Sequence, residues 1–533
     1  MASAFLGIAA FAACAPLNPS YHHDELEYYL TDLSAKAIVL PADTDLPARD
    51  VAVRLGLKVL DLEASTSRPA GIFRLRGAPS VVDTPPDSGS NEDIALVLHT
   101  SGTTSRPKQV PLSHRNLCSS AGSIAHVLEL SSDDRSLNIM PLFHIHGLVG
   151  VLLSSMFAGA SVVCSAGFEG TSFSDLMAEF KPTWYSAVPT LHQSVLALAK
   201  QNSVVMAAEN LRLIRSSSSS LPPAVMAELE ETFGVPVIES YGMTEAAHQM
   251  ASNPLPPQVR KPGSVGLPAG PEMGIMDDDG HLLPAGMTGE IVIRGPGVTS
   301  GYANNSQANE DAFSDGWFRT GDRGHSDEDG YFCVTGRIKE MINRGGENIS
   351  PREIDEVLLE HPDVAQAVAF AVPHVSLGED VAAAVVLQEE AGLSEQKLRE
   401  FALTRLTEFK VPSQIVFVHT IPKGPTGKLQ RIGLHERLGA ELQQEFVAPR
   451  TEMEEILAGF WQELLSRHRI GVHDNFFGSG GDSLTAGRLV ARINSRLQLN
   501  LVVPVIFRCP TIEAQALLVE SALLDELESE ASR

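Results

Sequence analysis

Short apolar runs bounded by turn residues recur along the first 335 residues: "AKAIVL" (35–40), "DIALVLHT" (93–100), "SLNIMPL" (136–142), "ASVVCS" (160–165) and "PVIESYG" (236–242). Each is too short for a helix and rich in β-branched residues, so each reads as a strand. Longer amphipathic segments, 113–130 and 223–233, lie between them and read as helices. Strands alternating with helices predict an α/β unit built on a largely parallel sheet. After residue 260 the pattern changes to Gly/Pro punctuation and short strands such as "GEIVIRG" (289–295) and "GYFCVTGR" (330–337), the signature of a small β-rich part.

From about 338 the pattern changes again. "VAQAVAFAVP" (364–373) and "VAAAVVLQ" (381–388) read as strands and 394–408 as a helix, giving a small α+β unit. "VAPRTEMEE" (447–455) reads as a linker, and 450–525 is almost entirely helical in pattern. The predicted architecture is therefore α/β with several sheets over 1–337, α+β over 338–446, and an all-α four-helix unit over 450–525. By composition alone, "RSSSSSLPP" (215–223) reads as a low-complexity loop.

The bulk numbers narrow the class. A chain of 533 residues exceeds what one core supports. Hydrophobic content of 43% and a mean hydropathy near zero describe a soluble globular protein. A formal charge of −26 argues against nucleic-acid and anionic-membrane partners. Five cysteines, without CxxC or metal spacing, suit a reducing compartment, so a cytoplasmic location is expected. The opening "MASAFLGIAAFAACAPLNPS" has the outline of a secretory leader, but no Lys or Arg precedes its apolar run.

Candidate chemistry begins at "TSGTTSRPKQVPLSHRNL" (100–117). A Thr/Ser/Gly loop leaving a strand offers hydroxyls and backbone N–H groups to a phosphate, with Lys108 as counter-charge. No Gly-Lys-Ser/Thr closes the loop, so it is not a Walker A loop. "YGMTEAAH" (241–248) sets an aromatic, a threonine and a glutamate where they could stack a base, touch a phosphate and hold Mg²⁺. "GWFRTGDRG" (316–324) supplies Asp322, whose carboxylate suits a ribose diol. "GRIKEMINRGGENISPREID" (336–355) supplies Arg337, and "IPKGPTGKLQR" (421–431) supplies Lys428 in a Pro/Gly loop. Near the end, "DNFFGSGGDSLTAGRL" (474–489) places Ser483 at the start of an amphipathic helix, where a hydroxyl can cap an unpaired N–H. Capping alone does not explain the Phe-Phe pair, the glycine turn and the apolar run arriving together.

In this order the motifs resemble the adenylate-forming superfamily of acyl-CoA synthetases, nonribosomal-peptide adenylation domains and luciferases, over roughly residues 10–446. The resemblance implies that Thr100, Ser101, Gly102, Thr103, Thr104 and Lys108 hold the phosphates of ATP. It implies further that Tyr241 stacks on adenine, Thr244 contacts phosphate, Glu245 ligates Mg²⁺, and Asp322 and Arg337 bind the ribose. Lys428 takes the role of catalytic lysine, and Lys339 the hinge position of the small C-terminal domain. The closing segment resembles a carrier domain in which Ser483 bears 4′-phosphopantetheine, attached by a phosphopantetheinyl transferase. The glycines before Ser483 would leave room for that enzyme, and Phe476 and Phe477 are expected in the core.

Within the superfamily, "HTSGTTSRPK", "MPLFHIHGL", "YGMTEAAHQM" and "RKPGSVGLPAG" are in the style of oxalate–CoA ligase-like proteins. That implies a small, polar or dicarboxylic acid held by His146, Ser218 and His248, since imidazoles and hydroxyls can donate to an anion. Gly147, following His146, is expected to admit the ligand. The expected activity is ATP-dependent activation of such an acid and transfer to the chain's own carrier thiol, in a biosynthetic setting with a downstream acyl-accepting enzyme. The alternatives are a ligase releasing a free CoA thioester, or an inactive adenylation shell whose carrier is loaded in trans. Two departures from the family pattern bear on activity. Gln109 stands where glycine is usual and would crowd a turn needing positive φ. The chain also starts late relative to the large domain, which would leave an apolar flank open.

Overall fold

The computed structural model describes residues 1–531 except 43, 65–66, 70, 78–88, 101–106, 202–208, 375–376, 389–390, 424–428, 443–445, 466, 468, 478 and 482. The chain divides into two compact units, one over Met1–Val334 and one over 335–423 and 429–531.

The first unit is organised by a seven-stranded sheet. Five strands, Arg135–Asn138, Ser161–Cys164, Trp184–Ala187, Leu213–Ser216 and Val237–Met243, run parallel. His248–Ser252 and Leu267–Pro268 extend the sheet antiparallel at one edge. Trp184, Tyr185, Leu213 and Ile214 are fully buried, as expected of parallel strands covered on both faces.

The flanking helices form where local signals specify them. Pro223 opens Pro223–Phe233, and Gly234, at φ +68° in the left-handed region, ends it. Ser113 caps His114–Val127 through a reciprocal pair of bonds with Asn116. Leu117, Ala121 and Ile124, spaced four and three apart, are the buried face of that helix. Full burial of a side chain the size of Ile124 contributes roughly 1.5–3 kcal/mol. The opening apolar run is the helix Ala2–Ala9, whose Phe5 packs into the same core as Leu96 and Ile124.

Two sequence expectations are corrected here. The strand Ile94–Thr100 does not join the parallel sheet; it forms an antiparallel pair with Lys108–Ser113, Thr100 facing Lys108 across the ladder. The serine run is not a loop throughout: Leu213–Ser216 is a strand, and Arg215, Ser216 and Ser217 are buried.

In the second unit, Val364–His374 and Gly378–Leu387 form a long antiparallel pair. Helices Pro351–Leu359 and Glu395–Leu403 contribute Ile354, Leu358, Leu398 and Ala402 to its core. From residue 452 onward the described residues form four helices: Glu452–Leu465, Ser483–Leu497, Pro504–Arg508 and Ile512–Ala531. Their core holds Trp461, Phe476 and Phe477, the Trp461 and Phe476 rings meeting edge to face at 4.9 Å. The side chain of Gly481 is absent for packing reasons, since a Cβ there would lie 2.4 Å from the Phe476 ring, whereas Gly480 has open space. Among the described residues no helix is long and apolar enough to cross a membrane.

Candidate active site

Parallel strands direct their C-terminal ends toward one edge of a sheet, and ligand crevices form there. In the first unit those ends carry Asn138, Ser186, Arg215 to Ser218, and Tyr241 to Glu245. The Tyr241 hydroxyl donates to the carboxylate of buried Asp322, joining two motifs 81 residues apart. Thr244 and Glu245 form a 3₁₀ turn directly after the strand. The buried Glu245 carboxylate accepts from the Tyr302 hydroxyl at 2.8 Å, and the Lys108 ammonium lies 4.3 Å from the centre of the Tyr302 ring. Tyr302 thereby links the lysine of the first motif to the glutamate of the second, a cation–π contact at one end and a hydrogen bond at the other. No local pattern around Tyr302 signalled this role.

A second cluster is polar and buried. The turn carrying His146 is π-helical over His146–Leu153, a wide pitch that recurs at functional sites. His146 is fully buried; its Nε2 is 2.7 Å from Ser186 Oγ and its Nδ1 is 3.0 Å from Ser218 Oγ. The His146 and His248 rings stack at 5.0 Å. Ser218, Ala247 and His248 adopt φ of +74°, +48° and +104°, sparsely populated values for non-glycine residues that mark a constrained site. Gly150 makes room for this pair: a Cβ would stand 2.5 Å from the His248 ring and 3.0 Å from that of His146. Gly147 does not serve ligand approach as expected. Its missing side chain accommodates the Pro141 carbonyl, 2.4 Å from where a Cβ would be. His144 is half-buried, its Nδ1 accepting from the His146 backbone N–H.

Beneath the two histidines lies Arg215, which sequence reasoning had placed in a loop. It is fully buried; Nη1 donates to His248 Nε2 at 3.1 Å and reaches Ser186 Oγ at 3.5 Å, and Nη2 donates to Gln249 at 2.9 Å. Its Nε has no hydrogen-bond partner. Among the described residues no carboxylate pairs with it, and burial pulls the guanidinium down to about 9, which leaves it a cation at neutral pH.

Gln109 lies in the strand Lys108–Ser113 opposite His99, an extended position with no need for positive φ. Its amide donates to the backbone carbonyl and the carboxylate of Asp32 at 2.8 and 2.7 Å, and His99 Nε2 meets the same carboxylate at 2.8 Å. The expected crowding is therefore absent at this residue; the side chain ties the hairpin to the helix His23–Asp32.

The remaining predicted residues divide between the units. Thr100 ends its strand, whereas Ser101, Gly102, Thr103 and Thr104 lie outside the described residues, as does Lys428. Arg337 and Lys339 belong to the second unit, both exposed, Lys339 on the 3₁₀ turn Ile338–Glu340. Ser483 is the first residue of the helix Ser483–Leu497, and Leu484 beside it is 66% exposed.

Comparison with known proteins fits these features. Residues 1–303 match the AMP-binding enzyme family, 353–428 the AMP-binding enzyme C-terminal domain, and 455–519 the phosphopantetheine attachment site family. A probable CoA ligase, CCL9, of Humulus lupulus is 46% identical over 438 residues, 81% of this chain and 83% of that protein. The oxalate–CoA ligase of Arabidopsis thaliana is 45% identical over 428 residues, 80% of this chain and 83% of that protein. The crystal structure of ATP-bound MatB from Rhodopseudomonas palustris superposes with a TM-score of 0.71 at 31% identity, covering 81% of this chain and 85% of that one. With the family matched over more than half its length, the chain belongs to the AMP-binding enzymes as an acid–thiol ligase, and it carries a phosphopantetheine attachment domain behind its two adenylation domains.

Proposed function

We propose that this chain activates a small polar or dicarboxylic acid with ATP and passes the acyl group to a thiol on its own carrier domain. The observation that supports the acid class is the buried polar floor of His146, Ser186, Ser218 and His248. A long aliphatic acid would lay CH₂ groups against the half-buried Ser218 hydroxyl, and a buried donor left unpaired costs about 1–3 kcal/mol. A short acid with an anionic tail accepts from that hydroxyl instead. The oxalate–CoA ligase and sulfoacetate–CoA ligase among the relatives are named for acids of that kind.

Adenylation joins a carboxylate oxygen of the acid to the α-phosphorus of ATP, and pyrophosphate leaves. In this reading the 100–104 segment and Lys108 hold the phosphates, Tyr241 lies against adenine, and Asp322 and Arg337 take the ribose hydroxyls. Thr244 touches phosphate. Glu245 is a hard, buried oxygen donor, the ligand type that Mg²⁺ accepts beside phosphate oxygens. Lys428 balances the negative charge that builds as the new bond forms. Rotation about Lys339 then changes which residues of the small domain face the adenylate. A thiol sulfur next attacks the acyl carbon, and AMP leaves.

When attached to Ser483, 4′-phosphopantetheine supplies that thiol. The surroundings fit such attachment: the serine opens a helix, Gly480 borders open space, and Leu484 is exposed. The proposed domains are an AMP-binding large domain over 1–337, its small domain over 338–446 and the carrier over 450–525. In this reading the carrier delivers its acyl group to a separate biosynthetic enzyme in the cytoplasm. A second reading, release of a free CoA thioester, is favoured by the relatives' names as CoA ligases.

Intact-protein mass spectrometry separates the two. After incubation with CoA and a phosphopantetheinyl transferase, then ATP, Mg²⁺ and a panel of short mono- and dicarboxylic acids, a pantetheine increment followed by an acyl increment is expected. Both should vanish in Ser483→Ala. An acyl-CoA in solution with no acyl gain on the protein would overturn self-loading.

A further inference from the structure

Arg215 and Ser186 lie outside every motif that defines the adenylation site, yet together they touch both histidines of the pocket. Arginine is a hydrogen-bond donor only. That property sets the direction of the bonds around it. Nη1 carries two hydrogens; one goes to His248 Nε2 at 3.1 Å and the other points at Ser186 Oγ at 3.5 Å. His248 must therefore present a lone pair at Nε2. Ser186 Oγ has one hydrogen and two lone pairs; in the arrangement inferred here it accepts from the guanidinium and directs its own hydrogen along the 2.7 Å contact to His146 Nε2. His146 then carries its hydrogen on Nδ1 and donates it to Ser218 Oγ at 3.0 Å. The Ser218 hydroxyl hydrogen is left to donate onward, and Ser218 is half-buried where Arg215, Ser186 and His146 are fully buried. The backbone of Ser218 is held at φ +74°, which fixes where this last hydroxyl stands.

We propose that Arg215 and Ser186 are positioning residues that polarise a one-way relay, Arg215 to Ser186 to His146 to Ser218, so that the acid pocket ends in a hydrogen-bond donor and selects acids whose tail is a carboxylate or another anionic oxygen group. A neutral amide tail can also accept one hydrogen bond, but a charge-assisted bond is roughly twice as strong. The uncompensated guanidinium adds to the preference, because no carboxylate of the described protein cancels its charge. Gln249 completes the anchor. Its oxygen faces Arg215, and its amide nitrogen, turned away, has no partner.

The inference rests on the small-acid reading above, and the experiment keeps the two apart. ATP–pyrophosphate exchange is measured on the full chain with a short dicarboxylic acid, chosen as the best wild-type substrate, and with its monoamide. Ser186→Ala removes the relay's second link while leaving the guanidinium in place. Arg215→Lys keeps the charge and loses the fork. Urea midpoints confirm that each variant is folded. In Ser186→Ala the preference for the diacid over the monoamide is expected to fall by about tenfold, the equivalent of one charge-assisted bond, through the KM of the acid and with the KM of ATP unchanged. Arg215→Lys should retain part of that preference. An unchanged preference in folded Ser186→Ala, or an equal loss for both acids and for ATP, overturns the relay and leaves the small-acid reading standing. Wild-type protein that exchanges pyrophosphate with neither acid, but does so with long-chain acids, overturns both.

Discussion

Gly150 offers a sharp test of whether the histidine pair is a constrained site, because two known effects of Gly→Ala oppose each other there. The residue lies inside the π-helical turn His146–Leu153 and is fully enclosed. In an ordinary helix interior, alanine in place of glycine stabilises by about 1 kcal/mol. Here the new methyl carbon would lie 2.5 Å from Cδ2 and Nε2 of His248 and 3.0 Å from Cδ2 of His146. To reach ordinary van der Waals contact, the His248 ring must retreat by about 1 Å, and overpacking of this kind costs about 2 kcal/mol.

The ring has little room to move. A Cβ on Gly242 would already meet the His248 carbonyl, and His248 sits at φ +104°. Retreat also stretches the 3.1 Å bond from Arg215 beyond useful length, and a buried charged donor without its acceptor costs about another 2 kcal/mol. The balance is a loss of about 3 kcal/mol against the glycine protein, from terms of about 1, 2 and 2 kcal/mol. Urea unfolding followed by the fluorescence of Trp184 and Trp317 reads the stability, and pyrophosphate exchange reads the acid KM. A lowered midpoint with a raised acid KM is expected. An unchanged or raised midpoint with an unaltered acid KM would refute the argument, since it would mean that the rings yield freely.

Two further expectations follow from buried polar contacts. Gln109→Gly should lower the urea midpoint by about 2 kcal/mol, having lost both bonds to Asp32 and introduced glycine into a strand, and should not raise pyrophosphate exchange; a gain in exchange would show that the glutamine does obstruct the phosphate loop. His192 is fully buried beside Tyr185, and burial pulls it from 6.5 down to about 4. Because the unfolded chain binds that proton more readily, the neutral histidine's contribution is complete above pH 6.5 and is lost as pH falls toward 4, by about 3 kcal/mol in all and about 2 kcal/mol by pH 5. The urea midpoint of His192→Gln should accordingly fall less between pH 7 and pH 5 than that of the wild type, and parallel slopes would count against this assignment.

What could be read from the sequence is what short-range rules determine. The helix Pro223–Phe233 was legible to the residue because its punctuation is local, proline at the first turn and glycine just past the last. Phe476 and Phe477 were legible as core because an aromatic pair ahead of an amphipathic helix has few other uses. The motif residues themselves were legible as types: a lysine after a hydroxyl-rich loop, a glutamate after a strand. Their partners were not. Tyr302 meets Glu245 across 57 residues of sequence, and Asp32 meets Gln109 across 77, separations over which no periodicity carries information.

The strand Ile94–Thr100 shows the same limit in another form. Its β-branched, apolar run specifies a strand but not a partner, and the partner Lys108–Ser113 lies beyond residues 101–107, an antiparallel return that the α/β alternation elsewhere argues against. Arg215 is the most instructive case. Composition made the serine run a loop, because serine is poor at filling a core and common in linkers. Yet serine is also the smallest side chain that can both accept from a guanidinium and donate to an imidazole. Ser186, far upstream, supplies that link, and the run itself supplies Ser218 at the other end of His146. Part of a polar, low-complexity stretch became buried structure where its hydroxyls found partners, Ser217 on the Ser240 carbonyl and Ser218 on His146, although Ser216 Oγ is buried without one. That requirement is set by the fold and not by the neighbours in sequence, so buried serine runs beside an unpaired arginine or histidine are where composition-based reading is least able to tell a linker from a pocket.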